Sequence, residues 1–319
     1  MVPHSRSRPL ILLLALLLSG CGHAALPKRP APPKSNVVTG FTLREIAALP
    51  VAAEGLAATL QGGGVTIFGG LGPRGSLDAI YRLEGTHLTA AGHLPLPIHD
   101  LAAAPLPGGA VLVGGGGQIS SFDRLYLYRA GSVTSFATLP TPRSDLAAVS
   151  LQGAVYLVGG YTGSSFLATI LRVEPDGHIA AVGQLPLGLR YVGAAALGGR
   201  IYVFGGLGQQ GCQSAIYRFT PGTGVRRVGA LPVPVRAPLV AAGSDGILVA
   251  GGETAPGQDV AAVYWYSPGS GLRAIGRLPG SLALGAAVYV GRDQFVIVGG
   301  EDGSQIAQGI FLLHLRRGG

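Results

Sequence analysis

Short apolar runs that end in a glycine pair recur along the chain. Val155-Tyr156-Leu157-Val158 leads into Gly159-Gly160, and Ile201-Tyr202-Val203-Phe204 into Gly205-Gly206. The same marker stands at Gly69-Gly70, Gly114-Gly115, Gly251-Gly252 and Gly299-Gly300. A second marker, Leu-Pro, falls at 49–50, 94–95, 139–140, 185–186, 231–232 and 278–279, at spacings of 45, 45, 46, 46 and 47 residues. The two markers keep a nearly fixed offset of about 20 residues. Six copies in phase define an internal repeat, and a period of this length signals stacked or radial architectures.

Each unit reads as four short strands. After Leu-Pro comes a small, apolar stretch such as Leu146 to Leu151, then a Gln152-Gly153 turn, then the apolar run. Continuous apolar runs of this length suit strands covered on both faces. A polar loop leads to a third strand, Ala215 to Phe219 in the fourth unit, and an alternating fourth strand such as His178 to Val182 closes before the next Leu-Pro. Alternation suits an outer strand with one wet face. Alanine-rich inner strands fit where strands converge on an axis. Four-stranded sheets repeated radially make an all-β propeller, here with six blades. The last unit stops at its third strand, Phe311 to Leu315, while Phe41 to Ile46 precedes the first unit with fourth-strand character. The N-terminal strand is therefore expected to complete blade six, removing two exposed edges. An open solenoid would leave that strand orphaned and has no capping repeat.

An apolar strand ending in Gly-Gly, a tyrosine in the next strand (Tyr81, Tyr128, Tyr217, Tyr266) and a fourth strand closing before proline resemble the Kelch repeat over residues 41–319. The resemblance implies a Kelch-type β-propeller whose ligand face is the channel mouth. The family's fourth-strand tryptophan is replaced by Leu43, Leu88, Val133, Ile179, Val225 and Leu272, so the repeats are degenerate. The single tryptophan, Trp265, falls in a third strand and is expected to pack there.

The first twenty residues read as an address. Arg6 and Arg8 precede an apolar run from Leu10 to Leu18. Nine helical residues reach about 14 Å, short of a hydrocarbon core of about 30 Å. With Leu18-Ser19-Gly20-Cys21 this resembles a bacterial lipoprotein signal (residues 1–20) cut before a lipidated Cys21. Residues 21–40 carry Pro27, Pro30, Pro32 and Pro33 with Lys28, Arg29 and Lys34, a tether between lipid and propeller. The expected location is the cell envelope, lipid-anchored on the extracytoplasmic side of a bacterial membrane.

Composition narrows the chemistry. The chain has 54 glycines and 23 prolines in 319 residues, but it is 48% hydrophobic and only 12% charged, which fits a folded chain with many turns. Two cysteines exclude a disulfide scaffold or a Cys-based zinc site. The net charge of +8 falls to +6 without the leader and is spread thinly, so no nucleic-acid partner is expected. His99 is the one histidine near the mouth, and no cofactor or metal is expected; Glu301-Asp302-Gly303 alone offers too few oxygens for calcium. Cys212 reads as a shielded free thiol in a loop, with a reactive thiol or a dimer link as the alternatives.

By the resemblance, mouth residues fall five positions after each repeat leucine, at Glu54, His99, Ser144, Arg190, Arg236 and Ala283, with Asp100, Arg143, Asp145 and Tyr191 beside them. The loops after the glycine pairs add Tyr161, Glu253 and Glu301. The candidate ligand-binding set is Glu54, His99, Arg143, Arg190, Tyr191, Arg236, Glu253 and Glu301. Arg190 and Arg236 in adjacent repeats either fork onto one anion or pair with acids such as Glu253 or Glu301. The expected function is a non-catalytic protein- or glycan-binding module. The alternative is a carbohydrate-active enzyme, similar to the family's sugar epimerases, using Arg190 and Arg236 with an acid. No catalytic residue is assigned.

Overall fold

The computed structural model describes residues 37–303 and 305–318. The leader, Cys21 and the tether as far as residue 36 lie outside the described residues.

The described chain is all-β, with one 3₁₀ turn at Pro107–Gly109. Six antiparallel sheets, each built on four strands, follow one another along the sequence. The innermost strands are Ala57–Gln61, His99–Pro105, Ala147–Leu151, Gly193–Leu197, Leu239–Ala242 and Ala286–Gly291, which define blades I to VI. Each innermost strand contacts the next, and that of blade VI contacts that of blade I. The ring is therefore closed. Blade VI has Gln294–Val298 and Gly309–Arg317 as its second and third strands and takes Val38–Ala48 as its outer strand. The pairing is antiparallel, with Phe41 opposite Leu315, Leu43 opposite Leu313 and Ala48 opposite Gly309. The closing strand starts at Val38, three residues ahead of the expected 41. Arg317, on the third strand of blade VI, also ties that blade to blade V: its guanidinium bonds Asp293 at 2.7–2.8 Å and Asp245 at 2.8–2.9 Å.

The core lies between blades. Second strands such as Ala154–Val158 are buried throughout, whereas outer strands such as Ser132–Thr138 present their polar positions to water. Six apolar clusters fill the six gaps, for instance Phe68 and Ile80 of blade I against Val111, Val113 and Tyr128 of blade II. Leu43, Leu88, Val133, Ile179, Val225 and Leu272 each pack against a different one of these clusters. The apolar replacements thus keep the contact that a tryptophan would make. Trp265 is buried edge-on against Phe295, at 6.2 Å between ring centres.

The glycine pairs join blade to blade. The second glycine donates its N–H to a carbonyl of the segment that opens the next blade: Gly70 to Ile98, Gly160 to Leu189, Gly206 to Val235, Gly252 to Leu282 and Gly300 to Ala53, at 2.8–2.9 Å. In blade II the donor is Gly116, to Arg143 at 2.9 Å. The equivalent pair there is Gly115-Gly116, so the expected Gly114-Gly115 is corrected by one residue; the glycine run 114–117 hid the register. The first glycine of each pair lies under the same carbonyl. At Gly159, with φ 65°, a Cβ would stand 2.5 Å from the Leu189 oxygen.

Gly153 shares the positive φ, at 79°, but a Cβ there meets nothing nearer than Pro107 at 3.9 Å. Gly153→Ala is expected to cost about 1 kcal/mol, for left-handed backbone alone. Gly159→Ala should cost about 3 kcal/mol or more, because the carbonyl must also move and its bond to Gly160 is disturbed. Urea unfolding of the two variants checks the difference; equal losses would refute the close approach.

Candidate functional site: the channel mouth

Three consecutive positions build the mouth in every blade, counted from the repeat leucine. The fourth residue packs on the core: Ala53, Ile98, Leu189 and Val235 are buried there, and the half-buried Leu282 packs against a core cluster. Blade III has Arg143 there instead. Arg143 is 2% exposed; it donates to the Gly159 carbonyl at 3.1 Å and to Thr169 Oγ1 at 3.2 Å, and its Nε has no partner. Burial pulls its guanidinium down to about 10. Arg143 is thus withdrawn into the blade interior rather than offered to a ligand, because its position faces the core.

The fifth residue pairs with the loop that follows the glycines. Glu54 bridges Leu71, Ser144 bridges Tyr161, Arg190 bridges Leu207, Arg236 bridges Glu253 and Ala283 bridges Glu301. The structure therefore brings the residues of both sequence segments to one face. The sixth residue forms a ring about the axis: Gly55, Asp100, Asp145, Tyr191, Ala237 and Leu284, all with φ between 49° and 56°. Backbone N–H groups link them in sequence, Asp100 to Gly55, Asp145 to Asp100, Tyr191 to Asp145 and Ala237 to Tyr191, and Gly55 closes onto Leu284, at 2.7–2.9 Å. The same residues line an axial cavity of about 110 Å³. Gly55 is required by its neighbour, since a Cβ there would stand 2.6 Å from Asp100 Oδ1.

One side of the mouth is mixed in charge. Arg190 Nε lies 2.7 Å from Asp145 Oδ2, and Arg190 Nη2 donates to the Tyr191 hydroxyl at 3.0 Å. That hydroxyl donates to Asp100 Oδ2 at 3.2 Å. The Arg190 guanidinium stacks on Tyr161 at 4.3 Å and Tyr191 at 4.5 Å, and Arg236 lies 5.4 Å from the Tyr191 ring. Burial opposes the charge on Arg190, but Asp145 and Tyr191 hold its guanidinium above the ordinary value. His99 Nδ1 contacts Ser76 Oγ at 2.8 Å, and burial lowers its ring toward the neutral form against the pull of Asp145. Burial and the neighbouring Asp145 carboxylate push Asp100 well above the carboxylate range.

The other side is acidic. Arg236 Nε meets Glu253 Oε2 at 2.5 Å, and Glu253, 1% exposed, also accepts from Gly257 N–H at 2.6 Å. Arg190 and Arg236 therefore do not fork onto one anion; each has its own acid, and the expected pairing of Arg236 with Glu253 is present. Carboxylate oxygens of Glu253, Asp259 and Glu301 lie within 4.8 Å of one another, and Glu54 bonds Glu301. Such oxygens are the donor type of a hard divalent cation. Burial raises Glu54, opposed by its bond to Glu301 and reinforced by Glu253; burial also raises Asp259, against the Gly303 N–H. Burial and Glu54 push Glu301 up to about 7. Cys212 is half-buried at the start of the strand Gly211–Thr220 rather than in a loop, its thiol toward the Glu253 carbonyl at 3.6 Å and raised by burial.

No repeat marker fixes the loop that carries Asp259, so the sequence gives no signal for it. Asp100 and Asp145 share a place one step beyond the mouth position, and that spacing is the signal that ties them together.

A Kelch motif profile matches residues 142–178 and 188–230, which span much of blades III and IV. The chain is a Kelch-repeat β-propeller. A solved structure of YjhT superposes with a TM-score of 0.73 at 16% identity, covering 85% of this chain and 99% of that one, a likeness of fold. No curated protein matches the sequence of this Kelch-repeat propeller. The matched blades are those that supply Asp145, Tyr161, Arg190 and Tyr191 to the mouth.

Glu301 gives the mouth a pH signature. Its folded value of about 7 stands above an ordinary 4.5, so the folded state binds the extra proton between them. That contribution to stability is complete below pH 4.5 and lost as pH rises through about 7. His99 works in the opposite direction in wild type and variant alike. Melting temperatures of Glu301→Gln minus wild type should therefore become more positive from pH 4.5 to 7. A flat difference would refute the carboxyl pair.

Proposed function

We propose that the propeller is a cell-envelope binding module that takes a glycan at its mouth, carried on a lipid anchor at Cys21. The observation that supports this reading is the concave axial cavity lined by Asp100, Asp145 and Tyr191, with the Arg190 guanidinium bonded to the Tyr191 hydroxyl and paired with Asp145 beside it. Hydroxyl-bearing ligands are recognised by planar acids and aromatic faces, and Asp100, Tyr161 and Tyr191 supply both. A protein partner would call for a broader apolar patch, and the mouth is concave and polar instead. The residual charge of the mouth is negative once Arg190 and Arg236 are paired, which favours a neutral or cationic glycan over an anionic one. The leader and Cys21 support an extracytoplasmic location on chemical grounds, as a lipidated N-terminus would tether the tether-borne domain to the membrane surface.

A second reading, a carbohydrate-active enzyme, gains from one feature: the Asp100 carboxyl, raised by burial and accepting from the Tyr191 hydroxyl, lines the axial cavity as an acid could.

On a glycan array, the wild-type protein should bind a discrete set of neutral or amino-sugar glycans, and Tyr161→Ala should weaken that binding about tenfold, as expected for loss of one aromatic contact. Binding that is confined to a protein in envelope pull-downs, with a blank array, would overturn the glycan ligand. In cell fractionation, Cys21→Ser should move the protein from membrane to soluble fractions; retention would overturn the anchor.

A further inference from the structure

Each first strand runs away from the mouth, so its turn into the second strand, and the turn from third to fourth, fall at the opposite end of the propeller, the base. The positive charge that looks thinly spread along the sequence is gathered there. On blades IV, V and VI the base carries Arg200, Arg226, Arg227, Arg273, Arg292 and Arg316, all exposed. The acids at the base of these blades are Asp245 and Asp293, and Arg317 holds both. None of the six arginines therefore has an ion pair among the described residues. Blades I to III differ. There Arg82 pairs with Glu84 and Arg172 with Glu174, while Asp176 offsets Arg129.

Within the basic arc the arginines crowd one another. Arg218 and Arg226 stand directly opposite across the third and fourth strands of blade IV, and Arg218 Nε is buried without a partner. Like charges placed opposite in a sheet destabilise it, so the fold gains nothing from this arrangement. An external anion would relieve it, and guanidinium groups match the oxygens of phosphate.

Two features select a membrane as the source of that phosphate. The closing strand begins at the base of blade VI, with Val38 opposite Arg317. The segment that carries Cys21, with Lys28, Arg29 and Lys34, therefore joins the propeller beside the basic arc. The acidic cluster of Glu253, Asp259 and Glu301 lies at the other end, where an anionic surface would repel it.

We propose that the base of blades IV, V and VI is a docking surface for the headgroups of anionic lipids, so that the anchored propeller lies base-down on the membrane with its mouth turned away. The proposal rests on the anchor at Cys21 and adds the face that meets the bilayer. Opposite charge at the two ends favours the same orientation twice, by attraction at the base and repulsion at the mouth.

The single tryptophan reports the contact. Trp265 lies against Gly246 in the base turn of blade V, so energy transfer from its indole to dansyl-labelled headgroups measures how near the base comes to the bilayer. The mature, lipid-anchored chain is reconstituted in vesicles of phosphatidylcholine, with and without phosphatidylglycerol. Transfer should rise in the anionic vesicles. High salt should return it to the neutral level with the protein still vesicle-bound, because salt screens exposed charges. Arg226→Gln with Arg227→Gln should remove most of the rise, whereas Arg129→Gln, on the other half of the base, should leave it. The chain from residue 22 onward, which holds the whole closed ring, should bind phosphatidylglycerol vesicles without lipid and weaken about fivefold for each of these two arginines removed. Equal transfer in both vesicle types, or wild-type binding by the folded double variant, would overturn the docking surface. So would a polynucleotide that stays bound at salt concentrations releasing the same chain from vesicles, since it would assign the arc to nucleic acid. A wild type found soluble in cells, whose lipid-free chain still binds anionic vesicles, would reject the anchor and uphold the surface. Membrane retention with no preference for anionic vesicles would do the reverse.

Discussion

The hydrogen bond from the second glycine of each pair to the opening segment of the next blade determines most of what this molecule can do. It occurs six times, from Gly70, Gly116, Gly160, Gly206, Gly252 and Gly300. Because the carbonyl accepts from a backbone that only glycine can bring so near, the next chain segment is held at a fixed height against the axis. Its following two residues then have no choice of place: one pairs with the loop beyond the glycines, and the next turns into the left-handed ring. The mouth is thus a consequence of backbone packing between blades, and the side chains at two positions per repeat are the only free variables.

Those variables have been filled unevenly. The blades that open with Asp100, Asp145 and Tyr191 put polar groups on the axis, while Ala237, Leu284 and Gly55 leave the opposite arc without any. Arginine is present only where a buried acid needs it: Arg190 on Asp145 and Arg236 on Glu253. Each pair sits in a low-dielectric site, where removing one partner would strand a buried charge. The arginines therefore act as holders of acids, and the face they leave exposed is acidic. Glu54, Asp259 and Glu301, lacking such partners, answer the same crowding by holding protons more tightly.

Much of the fold was legible in the residues. The Leu-Pro and glycine periods placed the six blades, and the unpaired strand around Phe41 to Ile46 told how the ring closes. The limits came where the repeat carried no marker or too many. Four consecutive glycines at 114–117 concealed the register of blade II, since any adjacent two fit the pattern. Arg143 read as a mouth residue because it adjoins the mouth position at Ser144, yet its own position is the one that five other blades fill with apolar side chains. Asp259 lies in a loop whose length varies between blades, so spacing could not bring it to Glu301. The partner of Arg190, Asp145, comes from the ring position of the preceding blade, a contact across blades that spacing along one repeat does not encode.

Backbone strain at the ring separates what geometry imposes from what chemistry uses. Five non-glycine residues adopt the left-handed conformation there, at roughly 1 kcal/mol or more apiece. Ala237 and Leu284 carry that strain with no functional group to justify it, so the strain itself is a property of closing six blades around an axis and points to no site. Glycine would relieve it at every position, but only Gly55 is glycine, and there a side chain would collide with the Asp100 carboxyl. The informative choice is therefore the combination: space is cleared at Gly55 for a carboxyl at Asp100, a second carboxyl is set against it at Asp145, and Tyr191 reaches over from blade IV to the first. Strain would be cheaper to avoid at all three polar positions, and the acid–acid contact would be cheaper still. Their joint presence on the arc that surrounds the cavity is what distinguishes this mouth from a sealed hub.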